Sequence, residues 1–183
     1  MKKTHHIFTA FTAFAAGFIS HSLINLNAKK HFQASKIIDG DTLEIDNIWH
    51  TKIRLNAIDT PERGKDFYTE ARQTLEKYCL KKNISLKNTA NGGFGRTAAD
   101  IYCDGLFVNP KMIEMGLAIV SIEHAKDRAL YALQHKARQN CRGIWSQDIT
   151  KIYQDHKLEN ISPYGETLKI TNNPSCKIKL VLN

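Results

Sequence analysis

Hydrophobic and polar positions alternate along KIIDGDTLEID, residues 36–46, with Ile38, Gly40 and Thr42 on one parity and Asp39 and Asp41 on the other before Leu43 and Ile45. A period of two predicts a strand. A second strand is predicted over 51–58, and the Asp46-Asn47 turn signal between the two predicts a hairpin with a polar, exposed tip. From Thr69 to Lys82 the period lengthens. Ala71, Leu75, Tyr78 and Cys79 fall at offsets 0, 4, 7 and 8, one face of a helix that Thr69 would cap and Lys81-Lys82 would close. Asn83–Lys87 and Arg96–Cys103 read as strands around an Asn91-Gly92-Gly93 turn, and Asp104-Gly105 makes the next tight turn. Asn109 as cap and Pro110 in the first turn would open a short helix that Gly116 ends, and 117–122 returns to extended chain. Leu130, Leu133, Ala137 and Cys141 mark the inner face of a last helix over 127–142, stopped by Gly143. Short strands interleaved with helices predict an α+β, β-rich domain, a small barrel of the oligonucleotide-binding type.

The two ends of the chain stand apart from this pattern. Lys2 and Lys3 precede an uncharged run over 4–28 whose apolar heart is Ile7 to Ile19, the composition of an export signal, with cleavage expected after Ala28. The alternative is an uncleaved N-terminal membrane anchor: spanning takes about 20 mostly apolar residues, and Ile7 to Ile24 offers 18 with Ser20, His21 and Ser22 among them. The folded domain is expected over 29–148, followed by a polar tail over 149–183 with a weak strand at 177–182.

Composition narrows the class. The 183 residues carry 26 Lys plus Arg against 18 Asp plus Glu and are 42% hydrophobic, which excludes collagen-like, disordered and multi-span membrane chains. The net charge is +8, and it is still +6 without residues 1–28, so the basic excess belongs to the folded part and favours a polyanionic partner. Four cysteines in an exported chain permit two disulfides in three connectivities, with Cys79–Cys103 and Cys141–Cys176 the favoured pairing; the alternative is that Cys79, Cys103 and Cys141 are small core residues. No C-x-x-C pair is present, and His50, His135 and His156 have no metal spacing, so structural zinc is not expected.

Charge gathers in three places: Asp39-Gly40-Asp41-Thr42, Arg54 followed by Asp59-Thr60-Pro61-Glu62, and Gly95-Arg96. Asp41 and Asp59 at the ends of adjacent strands could offer hard carboxylate oxygens to Ca²⁺, with the Thr60 carbonyl as a further ligand. Glu62, three residues past Asp59 on a turn forced by Pro61, could act through a water as base or orienter. Arg54 and Arg96 could each offer paired donors to phosphate oxygens. Taken singly, each piece also has a plain reading: a turn at Asp-Gly, a cap at Asp-Thr-Pro-Glu, a solvated strand arginine.

In combination the sequence resembles the staphylococcal nuclease family, through IIDGDT at 37–42, RLNAIDTPE at 54–62, GR at 95–96, VNPKMIEMGLA at 108–118 and RGIWS at 142–146. The resemblance covers about Lys36 to Ser146 and implies a five-stranded barrel with three helices. It implies a Ca²⁺-dependent hydrolase of DNA and RNA that leaves 3′-phosphate ends. Residue by residue, Asp41, Asp59 and Thr60 match the metal ligands and Arg54, Glu62 and Arg96 the catalytic trio. The chain departs from the family pattern at Gly93-Phe94, where the best-known member has Lys-Tyr, at Ile122 and His124, which replace two tyrosines, and in the shorter Arg63-Gly64-Lys65-Asp66 loop. The metal and phosphate residues are untouched by these changes, while nucleotide affinity is not. Phe94 could still stack on a base.

The expected function is therefore an exported, monomeric nuclease for DNA and RNA, preferring single strands, with little sequence preference. The alternatives are a non-catalytic nucleic-acid-binding module of the same fold, and a nuclease tethered to a membrane by residues 4–28.

Overall fold

The computed structural model describes residues 32–121, 127–147 and Cys176. The expected export segment, the positions Ile122 and His124, His156 and the tail strand lie outside them. Among the described residues the elements follow in the order β1 (Phe32–Ile37), β2 (Thr42–Ile45), β3 (Lys52–Leu55), β4 (Ile58–Asp59), α1 (Tyr68–Cys79), β5 (Asn83–Asn91), β6 (Thr97–Cys103), β7 (Leu106–Phe107), α2 (Val108–Glu114), β8 (Ile119–Val120) and α3 (Arg128–Gln139), with a 3₁₀ turn at Gly143–Ser146.

Strands β3-β2-β1-β5-β6 pair in that order, and a parallel pairing of β3 with β6 closes them into a five-stranded barrel. Closure removes the free edges an open sheet would leave. The inward row of β6, Ala99, Ile101 and Cys103, meets Leu43, Ile53, Leu55 and Ile84 from the other strands, and Ala71 and Leu75 of α1 and Met112 and Ile113 of α2 complete one core. Ile119, Ala137, Ile144 and Trp145 form a smaller second cluster. Trp145 is buried, and His50 and His135 are exposed. Among the described residues no helix is long and apolar enough to cross a membrane.

Both expected disulfides form: Cys79–Cys103 ties the end of α1 to the end of β6 across a Cα separation of 5.1 Å, and Cys141–Cys176 brings the tail residue to the end of α3 across 5.3 Å.

Several local expectations are corrected. The strand over 36–46 is two strands, broken at 38–41, because Asp39 Oδ1 accepts from Asp41 N at 3.0 Å and turns the chain back. The barrel strand this leaves wanting is β1, which begins at Phe32. The fifth expected strand, 117–122, shrinks to Ile119–Val120 and pairs with β4 outside the barrel. The stretch 51–58 likewise divides into β3 and β4 around Ala57, whose φ of 63° only a turn accommodates. Thr69 does not cap α1; Phe67 does, at φ 65° and with no side-chain bond, so Thr69 sits in the first turn. α3 keeps its expected start, with Asp127 accepting from Ala129 N at 2.8 Å, and ends at Gln139.

Candidate functional site

The site is assembled by strand register. Thr42 pairs with Arg54, and Leu55 N donates to the Asp41 carbonyl at 2.7 Å, which lays the 38–41 turn against the end of β3. That turn also presses on Thr60: a Cβ on Gly40 would stand 2.7 Å from Thr60 Oγ1 and 2.8 Å from the Ala71 methyl. Only glycine lets the two segments meet this closely.

Asp41 is 4% exposed and fully engaged. Its Oδ1 accepts from Thr42 Oγ1 at 2.8 Å and from Arg54 Nη1 at 2.8 Å, and its Oδ2 accepts from Thr60 N at 3.3 Å. Arg54 Nη2 donates to Asp59 Oδ1 and, at 3.2 Å, to the Ile58 carbonyl. One guanidinium thus joins the carboxylates of two segments, and its Nε–H and second Nη1–H keep no partner among the described residues. Burial pushes the Asp41 carboxyl up to about 6; Arg54 works in the opposite direction, and the neighbouring carboxylates of Asp39 and Asp59 add to the rise. Burial opposes the Arg54 charge, yet Asp41 and Asp59 outweigh it and hold the guanidinium above its ordinary value. Asp41 and Asp59 bond to the one guanidinium of Arg54, and Asp39 adds negative charge at longer range.

Glu62 follows buried Pro61 and is exposed, its carbonyl accepting from Lys65 N at 2.9 Å. Arg96 precedes β6. In the parallel β3–β6 pairing Arg54 lies beside Ala98, so Arg96, two residues earlier, shares the outer face of Arg54 by strand parity. Its guanidinium is held only by 3.4 Å contacts to the Gly92 and Gly93 carbonyls and lies 5.7 Å over the Phe94 ring. Both contacts are long. Asp41, Arg54, Asp59 and Thr60 therefore form one connected cluster, and among the described residues neither Glu62 nor Arg96 is hydrogen-bonded to it.

Two residues have larger parts in this geometry than the sequence indicated. Asp39 sets the turn at Asp41 and adds a third carboxylate; its signal was its place in the Asp-Gly-Asp run. Asn109 is not the cap of α2, which is Phe107. Buried, it accepts from Ile101 N at 2.9 Å and donates to the carbonyls of Asn56 at 3.0 Å and Ala99 at 3.2 Å. It thereby fastens the turn between Arg54 and Asp59 to the strand that Arg96 precedes.

With this geometry in place, residues 52–147 match the family described as staphylococcal nuclease homologue. The chain belongs to the staphylococcal nuclease family. It is 32% identical over 123 residues to an uncharacterized endonuclease of Escherichia coli O157:H7, covering 66% of this chain and 80% of the relative. It is 28% identical over 123 residues to a micrococcal nuclease of Shigella flexneri, covering 61% and 71%, and 34% identical over 99 residues to a staphylococcal-like nuclease of Arabidopsis thaliana, covering 52% and 29%. The family match opens at Lys52, so Arg54, Asp59, Thr60, Glu62 and Arg96 fall inside it and Asp41 before it. Membership in a nuclease family makes nucleic acid the substrate class.

Proposed function

We propose that this protein is an exported, Ca²⁺-dependent nuclease that cuts DNA and RNA with little sequence preference, favours single strands and leaves 3′-phosphate ends. The observation that carries the reading is the joining of Asp41 and Asp59 through Arg54 beside Thr60, at a site with more carboxylates than cations. That donor set fits a hard cation: all its candidate ligands are oxygens, and a carboxyl pushed up to about 6 by burial and like charge gains by facing a divalent ion. Asp41, Asp59 and the Thr60 carbonyl would hold Ca²⁺. When bound, the ion supplies electrostatic stabilisation to a phosphoryl oxygen.

The chain's own residues do the rest. Arg54 arrives already oriented by two carboxylates, so its remaining N–H donors need no reorganisation to meet a phosphate oxygen. Arg96, lightly held on the same face, swings to a second oxygen as charge builds on the five-coordinate phosphorus. Glu62, exposed three residues past Asp59, orients a water for in-line attack and takes its proton. Gly93 supplies no cation beside Arg96, so the grip rests more heavily on the two arginines and on stacking by Phe94, which is 98% exposed.

The test is cleavage of single-stranded DNA and of RNA with Ca²⁺ and then with chelator, with the product ends identified. Calcium-dependent cutting of both polymers to 3′-phosphate ends is expected. Cutting that persists in chelator overturns the metal assignment, and binding without cutting leaves a nucleic-acid-binding module.

A further inference from the structure

The end of the β2–β3 hairpin remote from Arg54 carries two large apolar side chains in water. Ile48 is 84% and Trp49 80% exposed, so the expected polar tip is corrected. The loop is fixed by its own polar bonds. Asn47 Oδ1 accepts from Thr51 N at 2.9 Å, Asn47 Nδ2 donates to Thr51 Oγ1 at 2.7 Å, and the Asn47 carbonyl accepts from His50 N at 3.0 Å. None of these bonds uses the side chains of residues 48 and 49, which are held outward side by side without packing on the barrel. Two such neighbours in water are a standing cost that a partner surface would remove.

The position of the tip indicates which surface. Gln33 N donates to Asp46 Oδ1 at 2.7 Å and Asp46 N to the Gln33 carbonyl at 3.0 Å, so the chain enters the barrel beside the base of the tip. Just upstream the sequence reads Lys29-Lys30-His31, and the apolar run ends at Ile24. The seven intervening residues, 25–31, reach at most about 25 Å. We take residues 4–28 as the uncleaved anchor, in which case the bilayer that holds them holds this end of the barrel close to it. Lys81, whose N donates to the Ala34 carbonyl at 2.9 Å, is exposed on the neighbouring turn, and Lys52 is exposed on β3. Against Lys29, Lys30, Lys52 and Lys81 in sequence stand the hairpin's Asp46, which accepts from Gln33 N, and Glu44, 3.3 Å from His50.

We propose that the Ile48–Trp49 tip docks on the surface of a phospholipid bilayer. The indole ring suits the interface, apolar in body with one polar N–H, while Ile48 enters the acyl boundary and the flanking lysines meet anionic headgroups. Asp41 and Arg54 stand at the other end of the four-residue strand β2, about 13 Å away along the strand. A bilayer at the tip thus leaves the site facing water, away from lipid charge that would repel a polyanion. The inference uses none of the catalytic assignments and stands or falls separately from them.

The test is fluorescence of the full chain in vesicles of phosphatidylcholine and phosphatidylglycerol, with and without bromine on the acyl chains. Trp145 is buried, so the difference between the wild type and Trp49→Phe isolates the signal of Trp49. Docking gives Trp49 emission shifted to the blue and quenched by the brominated lipid, and Ile48→Ser weakens that quenching while nuclease activity is unchanged. Emission of a water-exposed indole, indifferent to bromine, overturns the proposal. So does a blue shift that appears only when single-stranded oligonucleotide is added to unbrominated vesicles, which makes the tip a base-stacking contact. Quenching that vanishes as the lipid-to-protein ratio rises overturns it in favour of a second copy of the chain.

Discussion

Replacing Arg54 by methionine keeps most of the aliphatic stem and removes the charge that Asp41 and Asp59 share. The magnitude follows from Asp41. Its carboxyl stands at about 6 against an ordinary value of 3.8, so the metal-free native state holds the Asp41 proton more tightly than the unfolded chain and loses about 3 kcal/mol as pH rises through that window. Burial is the largest cause of the rise and Arg54 the chief influence opposing it. Without Arg54 the folded value moves further up, and the window in which stability falls extends above 6. The difference between wild type and Arg54→Met is therefore small near pH 5, where Asp41 is largely protonated in both native states. Above 6 it grows by at most about 1.4 kcal/mol per pH unit. At about pH 7.5 it exceeds its value at pH 5 by up to about 2 kcal/mol, within the roughly 3 to 5 kcal/mol ceiling for breaking a buried ion pair. Urea titrations in chelator at the two pH values measure it. A variant destabilised equally at both, or more at the lower one, refutes the reasoning, because the loss would then be packing and not the charge on Asp41.

Arg96→Ala is expected to lower turnover by about 10²- to 10³-fold with an unchanged melting temperature, since its guanidinium makes only long contacts in the folded chain; single-turnover cleavage measures the first and a thermal melt the second. Glu62→Gln keeps the shape of the side chain but gives up a base, so it is expected to lower single-turnover cleavage by about 10²-fold or more. Asn109→Ala strips three bonds from backbone groups, two of the bonds buried, and is expected to cost about 2 to 4 kcal/mol in a denaturant titration. Replacing Cys79 and Cys103 together by alanine opens a link across 24 residues and is expected to cost about 3 kcal/mol by the same measurement.

Where one face of an element is buried in unbroken register, its period was readable. Ala71, Leu75 and Cys79 of α1, Ala99, Ile101 and Cys103 of β6, and Leu130 and Ala137 of α3 all turn to the core as their spacing predicts. β1 escaped the same logic because its register with β2 shifts between Ala34 and Lys36. A bulge there moves the buried positions to Ala34 and Ile37, three apart, and destroys the alternation that would have announced a strand. In the 38–41 turn the alternation persisted but misled. What bends the chain is the Asx bond at Asp39 together with the approach of Thr60 to Gly40, a contact between residues 20 apart in sequence that no local pattern encodes. Asn109 was misread for the same reason: beside a proline at a helix start, asparagine looks like a cap, and only the fold brings Asn56 and Ala99 within its reach.

The site was legible as a set of motifs, and the contacts among its residues were not. Nothing in DGDT or RLNAIDTPE says that one guanidinium will join both carboxylates; that follows from Thr42 facing Arg54 across a hairpin and from the turn at Ala57 that returns Asp59 to it. The hairpin tip makes the converse point. Turns are expected to be polar because their backbone groups need partners, and here Asn47 and Thr51 satisfy that need through their own side chains. Once they do, residues 48 and 49 have no role in holding the turn. Isoleucine and tryptophan there are explained neither by the turn nor by the core, and the explanation left to them is a surface outside the barrel.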